Sequence, residues 1–176
     1  MNIISEERRA HSAGQKRKLL CVQSSTHRLL QRVASIRGES MSDTLYLVLR
    51  DELQRQEGGD TWAFVPPPFS IKPTYLEHEC AVLFWHPMFG GVVLTKAEAV
   101  QLADALQRAV DSDAKPTLAM ITTHSAKALS LSRGGRHFKI HVDDQSATVT
   151  RPVAIDVVAA LDSASVHAGP LSTTVH

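Results

Sequence analysis

The sequence predicts an α+β protein in two parts: a small strand–helix–helix head and a C-terminal α+β domain of two ββα-like repeats. Three observations carry this reading. Residues 24–56 place apolar side chains at helical spacing on either side of Gly38. Residues 57–69, EGGDTWAFVPPPF, break that pattern with Gly58–Gly59 and Pro66–Pro67–Pro68, as a stiff connector does. Beyond them, HPMFGGVVLTKAEAVQLADALQRAV from His86 aligns without a gap, 55 positions on, with HVDDQSATVTRPVAIDVVAALDSAS from His141. The two copies match at Thr95 and Thr150, Ala99 and Ala154, Ala105 and Ala160, Leu106 and Leu161, and Ala109 and Ala164.

In chain order, residues 1–15 are polar and aperiodic and read as a flexible arm opening a basic segment. Lys18 to Gln23 is a strand candidate centred on Leu19, Leu20, Cys21 and Val22. Ser24 or Ser25 is then expected to cap a helix whose apolar positions are Leu29, Leu30, Val33 and Ile36. Gly38 stands where a left-handed C-terminal cap belongs. Ser42 is expected to start the next helix, with Asp43 in its first turn, where a negative charge suits the macrodipole. Leu45, Val48, Leu49 and Leu53 mark one face, which Tyr46 and Leu47 widen beyond what a solvated helix needs.

After the linker, residues 70–167 form the C-terminal domain. A first hairpin pairs Ala81–His86 with Val92–Leu94 across a Gly90–Gly91 turn. A second pairs His137–Val142 with Ala147–Val149 across Asp143–Asp144. Thr95 and Thr150 are expected helix N-caps, with Pro152 tolerated in a first turn. Two such units side by side predict a shared sheet of four strands or more, with two helices on one face. Residues 168–176 read as a disordered tail.

The chain has 176 residues, enough for one domain or two small ones, and its 43% hydrophobic and 21% charged content is that of a soluble globular protein. No apolar run approaches the roughly 18 residues of a membrane span, and MNIISEERRAHSAGQKRK holds no apolar segment of a secretion signal. Two cysteines, Cys21 and Cys80, make no disulfide framework. A cytoplasmic protein is the simplest expectation. Charge is unevenly spread: residues 1–56 carry ten Lys/Arg against six Asp/Glu, the remainder nine against twelve. A basic head on an acidic body points to a polyanion partner, or else to a solvated basic tail.

Catalytic and metal chemistry find little support. There is no P-loop, no paired metal motif and no nucleophile elbow, so no enzyme activity is expected. His78, Cys80 and His86 share one parity along EHECAVLFWH, but Cys80 and His86 lie about 20 Å apart on an extended strand. Two neighbouring ligands fall short of the usual four, so these residues, like His137 and His141, read as ordinary strand positions and no metal or cofactor is expected. Ser132 to His137, SRGGRH, reads as a surface turn.

The head carries a more specific signal. V-x-S-S-T-H-R-L-L-x-x-V-A from Val22, then R-G-E-S-M-S-D-T-L from Arg37 and L-R-D-E-L from Leu49, resembles the ribbon-helix-helix (Arc/MetJ-type) family of DNA-binding proteins over about residues 16–56. The resemblance implies an intertwined homodimer whose two strands pair into an antiparallel ribbon entering the major groove of double-stranded DNA. The short helices agree, since their apolar faces are too small to close a core alone. With Leu20 and Val22 turned inward, the resemblance places Arg17, Leu19, Cys21 and Gln23 towards the bases. It sets Lys16 and Lys18 near the backbone, and Ser42, Asp43 and Thr44 at the phosphate held by the second helix's N-terminus. Leu19 and Cys21 depart from the polar readers usual in the family. Weak specificity, a register with Lys18 outward, or a pure dimerisation module therefore stay open. Transcriptional repression by a homodimer is the expected use. An antitoxin, or a plasmid partition or conjugation accessory protein, is the alternative, and the C-terminal domain is expected to serve a protein partner, an effector or further self-association.

Overall fold

The computed structural model describes residues 23–56, 64–76, 79–112 and 116–168. The strand candidate up to Val22, most of the linker and the end of the C-terminal tail lie outside the described residues. The chain divides into two compact units, one reaching Met41 and the other starting at Ser42.

In the first unit, α1 spans Ser24–Arg37. Gln23, not Ser24 or Ser25, stands at its N-cap in extended conformation, with no side-chain cap bond. The Gln23 carbonyl accepts the first helical hydrogen bond from His27 at 2.9 Å, which draws both serines into the first turn. The other end follows expectation. Gly38 is left-handed, at φ 67°, which costs a residue without Cβ little. Its N–H donates to Ser35 and that of Glu39 to Ala34, the paired bonds of a Schellman cap.

Helix α2, Met41–Gln56, starts one residue before the expected Ser42 and belongs to the second unit from Ser42 onward. Then follow β1 (Ser70–Leu76), β2 (Glu79–His86), β3 (Gly90–Thr95), α3 (Lys96–Asp111), β4 (Ala119–Ile121), β5 (Ala128–Gly134), β6 (His137–Val142), β7 (Gln145–Thr150) and α4 (Arg151–His167). The duplication reappears in three dimensions: β3 and β7 span 90–95 and 145–150, and α3 and α4 begin at 96 and 151.

The expected single shared sheet is corrected. The first hairpin acquires one strand ahead of it and the second acquires two, so each repeat builds its own antiparallel sheet, in the orders β1-β2-β3 and β4-β5-β6-β7. What the repeats share is the helical layer. α3 and α4 pack on each other; α3 also touches β2, β3 and β5, and α4 touches β1, β2, β6 and β7. One continuous core results, from Phe69, Val82 and Phe84 through Leu102 and Leu106 to Ile140, Val157 and Leu161.

The first turn is also corrected. His86 pairs with Gly90, so the loop is Pro87–Met88–Phe89 and both glycines belong to β3. Pro87 presets the turn that Phe89 N–H closes on the His86 carbonyl at 3.2 Å, and Gly90 follows at φ 70°. Gly91 carries no such backbone demand, and a side chain there would make only ordinary contacts. It faces Trp85 across the strands, and a Cβ there would meet Leu83 and Trp85 at 3.5 and 3.7 Å. The second turn is Asp143–Asp144 as expected, closed by the Val142–Gln145 pair, with Asp143 at φ 50°. Asp143 holds Ala128 by its N–H at 2.8 Å and its carboxylate at 2.9 Å.

Thr95 caps α3 as expected and completes a capping box with Glu98. Thr150 occupies the same place before α4 without a side-chain bond, and Pro152 sits in the first turn.

Candidate nucleic-acid interface

Of the residues expected to face DNA, Lys16, Arg17, Lys18, Leu19 and Cys21 lie outside the described residues. Gln23 is exposed at the N-cap of α1, its side chain free of helix-capping duty. α1 carries Arg28, Arg32 and Arg37, all exposed, and no acid. Its apolar stripe is open: Leu29 is 65% and Ile36 77% exposed.

In the other unit, Ser42 is exposed, Asp43 half-buried and Thr44 fully enclosed in the first turn of α2. α2 likewise leaves Val48, Leu49 and Leu53 about half exposed, at 47%, 55% and 45%.

A different face of α2 is committed to the body, a feature the sequence reading missed. Tyr46 and Arg50, one turn apart, converge on Asp156 of α4. The Tyr46 hydroxyl donates to Oδ2 at 2.5 Å, and Arg50 Nη1 donates to Oδ1 at 3.0 Å. Arg50 Nη2 also holds Asp51 at 2.7 Å. Burial, joined by the Asp156 carboxylate, pushes the phenol pKa far above its ordinary value, so the proton stays on Tyr46. The signal was Asp156 itself, a lone acid within the apolar run VAIDVVAAL, where a buried charge needs partners.

Other chemical groupings serve the fold. His86 lies between Phe69 and Phe89, 4.6 and 5.2 Å from their ring centres, and its Nδ1 accepts the Met88 N–H at 3.1 Å. Burial lowers its pKa and keeps it neutral. Glu98 binds Thr95 N–H at 2.7 Å and the N–H and hydroxyl of Thr123 at 2.7 and 2.8 Å. Ser132 Oγ and His141 Nε2 meet at 2.7 Å on a sheet face, with no carboxylate orienting the imidazole among the described residues. No group of three or more His, Cys, Asp or Glu among the described residues is placed to hold a metal. No helix among them is long and apolar enough to cross a membrane. Comparison with protein-family models, curated proteins and solved structures gives no match for this chain.

Proposed function

We propose that the chain is a sequence-specific DNA-binding protein. It acts as a homodimer through a β-ribbon in the major groove, and transcriptional repression is its use. The observation that carries the reading is the pair of unfilled helices. α1 and α2 are joined through a Schellman-capped turn at Gly38, yet Leu29, Ile36, Val48, Leu49 and Leu53 remain open to solvent. A second chain bringing the same stripes supplies what they lack, as the ribbon-helix-helix resemblance implies. The three arginines of α1, unopposed by acids, support a polyanion partner. The folded C-terminal body argues against an antitoxin reading, which calls for a short disordered tail.

The test is a titration on specific and scrambled duplexes over a range of salt. Replacing Lys16 and Lys18 with alanine is expected to weaken both duplexes alike and to flatten the salt dependence by about 0.9 for each phosphate no longer neutralised. Replacing Arg17 or Gln23 is expected to cost roughly 1–3 kcal/mol of discrimination at one base position per half-site. Absence of wild-type binding at low salt would overturn the reading and leave the head a dimerisation device.

A further inference from the structure

Among the described residues there are four sheet edges, and three carry a device against strand addition. Hydrogen-bonding phase fixes which groups turn outward, because successive residues of an edge strand alternate. On β3, Val93 N–H turns out and is taken by Ser125 Oγ at 2.7 Å. The Lys127 ammonium closes the carbonyls of Phe89 and Gly91 at 3.3 and 2.9 Å. The loop between β4 and β5 therefore covers that edge, anchored by Thr123 on Glu98. The same phase, carried across β2, turns Pro73 to the free side of β1, where a residue without N–H cannot donate to an added strand. β4 is three residues long.

Among the described residues β7 has none of these. The two-residue turn closed by Val142 and Gln145 sets Gln145, Ala147 and Val149 towards β6, leaving the N–H and C=O groups of Ser146 and Thr148 outward. The strand is regular over Gln145–Thr150 and holds no proline and no charge.

We propose that β7 is the interface for a second copy of this chain, pairing antiparallel with its own counterpart to give a continuous eight-stranded sheet. Self-pairing fits for two reasons. A two-fold axis near Thr148 sets Ser146 opposite Thr150 and Ala147 opposite Val149, hydroxyls on one face and apolar groups on the other. It also sets Arg151, exposed at one end of β7, opposite Gln145 of the partner strand and one position from that strand's exposed Asp144. Acid meets base twice in the symmetric pair. This association is separate from the dimer assigned to the head.

The experiment follows the amide exchange of Ser146 and Thr148 in the full chain over a concentration series, alongside sedimentation. Both amides are expected to exchange slowly, with protection growing as chains associate. Arg151→Glu is expected to weaken the association roughly tenfold, and Asp144→Lys with Arg151→Glu to restore it. Thr148→Pro removes the N–H of the self-paired residue in each chain, so both bonds across the axis are lost, and it is expected to weaken association by about tenfold or more. Three results would overturn the proposal. One is free exchange of both amides in chains that sedimentation shows to be associated, which leaves the head dimer standing. Another is equal protection in dilute monomer, which means the chain covers its own edge. The last is association indifferent to both Arg151→Glu and Thr148→Pro.

Discussion

α1 and α2 are nearly as long as α3 and α4 but bury far less. α1 buries Ala34 and α2 buries Thr44, whereas α3 and α4 each bury eight residues. Length and periodicity do not separate the pairs; the supply of neighbours does. α3 and α4 have each other and two sheets to fill their apolar faces. α1 and α2 carry comparable leucine, valine and isoleucine stripes that this chain leaves open. Where the free energy of burial lies within one chain, stability is a property of that chain. Where it lies between chains, stability depends on concentration.

The sharpest break of this comparison is a matched pair of truncations. Leu106→Ala, inside the body, is expected to cost about 2–5 kcal/mol by thermal or urea unfolding at any protein concentration. Leu29→Ala, on the open stripe of α1, is expected to cost at most about 0.5 kcal/mol in dilute protein and much more where chains associate. Equal, concentration-independent losses at both sites would remove the distinction.

The next effect tests how firmly α2 belongs to the body. Asp156→Ala strips Tyr46 and Arg50 of a shared, buried partner and is expected to cost about 1–2 kcal/mol. Asp156→Asn keeps an acceptor for the phenol and is expected to cost less. An unchanged melting temperature for both variants would mean that this three-residue cluster holds nothing.

Within the body, Thr95→Ala deletes half of the capping box, at about 1 kcal/mol. Thr150→Ala, at the matching place in the second repeat, deletes no side-chain cap bond and is expected to cost less.

The smallest effects are those of pH. Burial alone would raise the Glu98 pKa, but the hydrogen bonds from Thr95 and Thr123 outweigh it and hold it below its ordinary 4.5. The stabilisation it confers is therefore complete above that value and lost as pH falls through the folded pKa. His86 is likewise depressed, by burial, from 6.5. It stabilises the neutral-pH fold fully above 6.5 and progressively less below. His86→Phe is expected to flatten the upper part of the acid limb and Glu98→Gln the lower, read as unfolding free energy against pH. A limb unchanged by either variant would refute these assignments.

Much of the fold was legible in the sequence because its cues are local. Thr95 precedes a helix-forming run, Gly38 follows one, and Asp143–Asp144 parts two alternating stretches. β1 escaped because Pro73 and Lys72 mask its alternation, and Pro73 is tolerated only because that strand is an edge. β5 escaped although Leu129 and Leu131 alternate with serines, because nothing nearby marked it as the partner of β6. The two-sheet arrangement depends on those strands, so it was lost with them. The candidate DNA face was legible only through resemblance, since Arg17 and Gln23 declare no chemistry until a strand aligns them. The Tyr46–Asp156–Arg50 cluster joins positions more than a hundred residues apart, and no local pattern pairs them.

The crossing of α3 and α4 over both sheets makes the repeats interdependent. If the backbone were cut between Ser112 and Pro116, each half would keep a sheet and a helix but expose the helix face that the other half fills. The halves would then behave as a split protein: insoluble or unstructured apart, and recovering the fold when mixed.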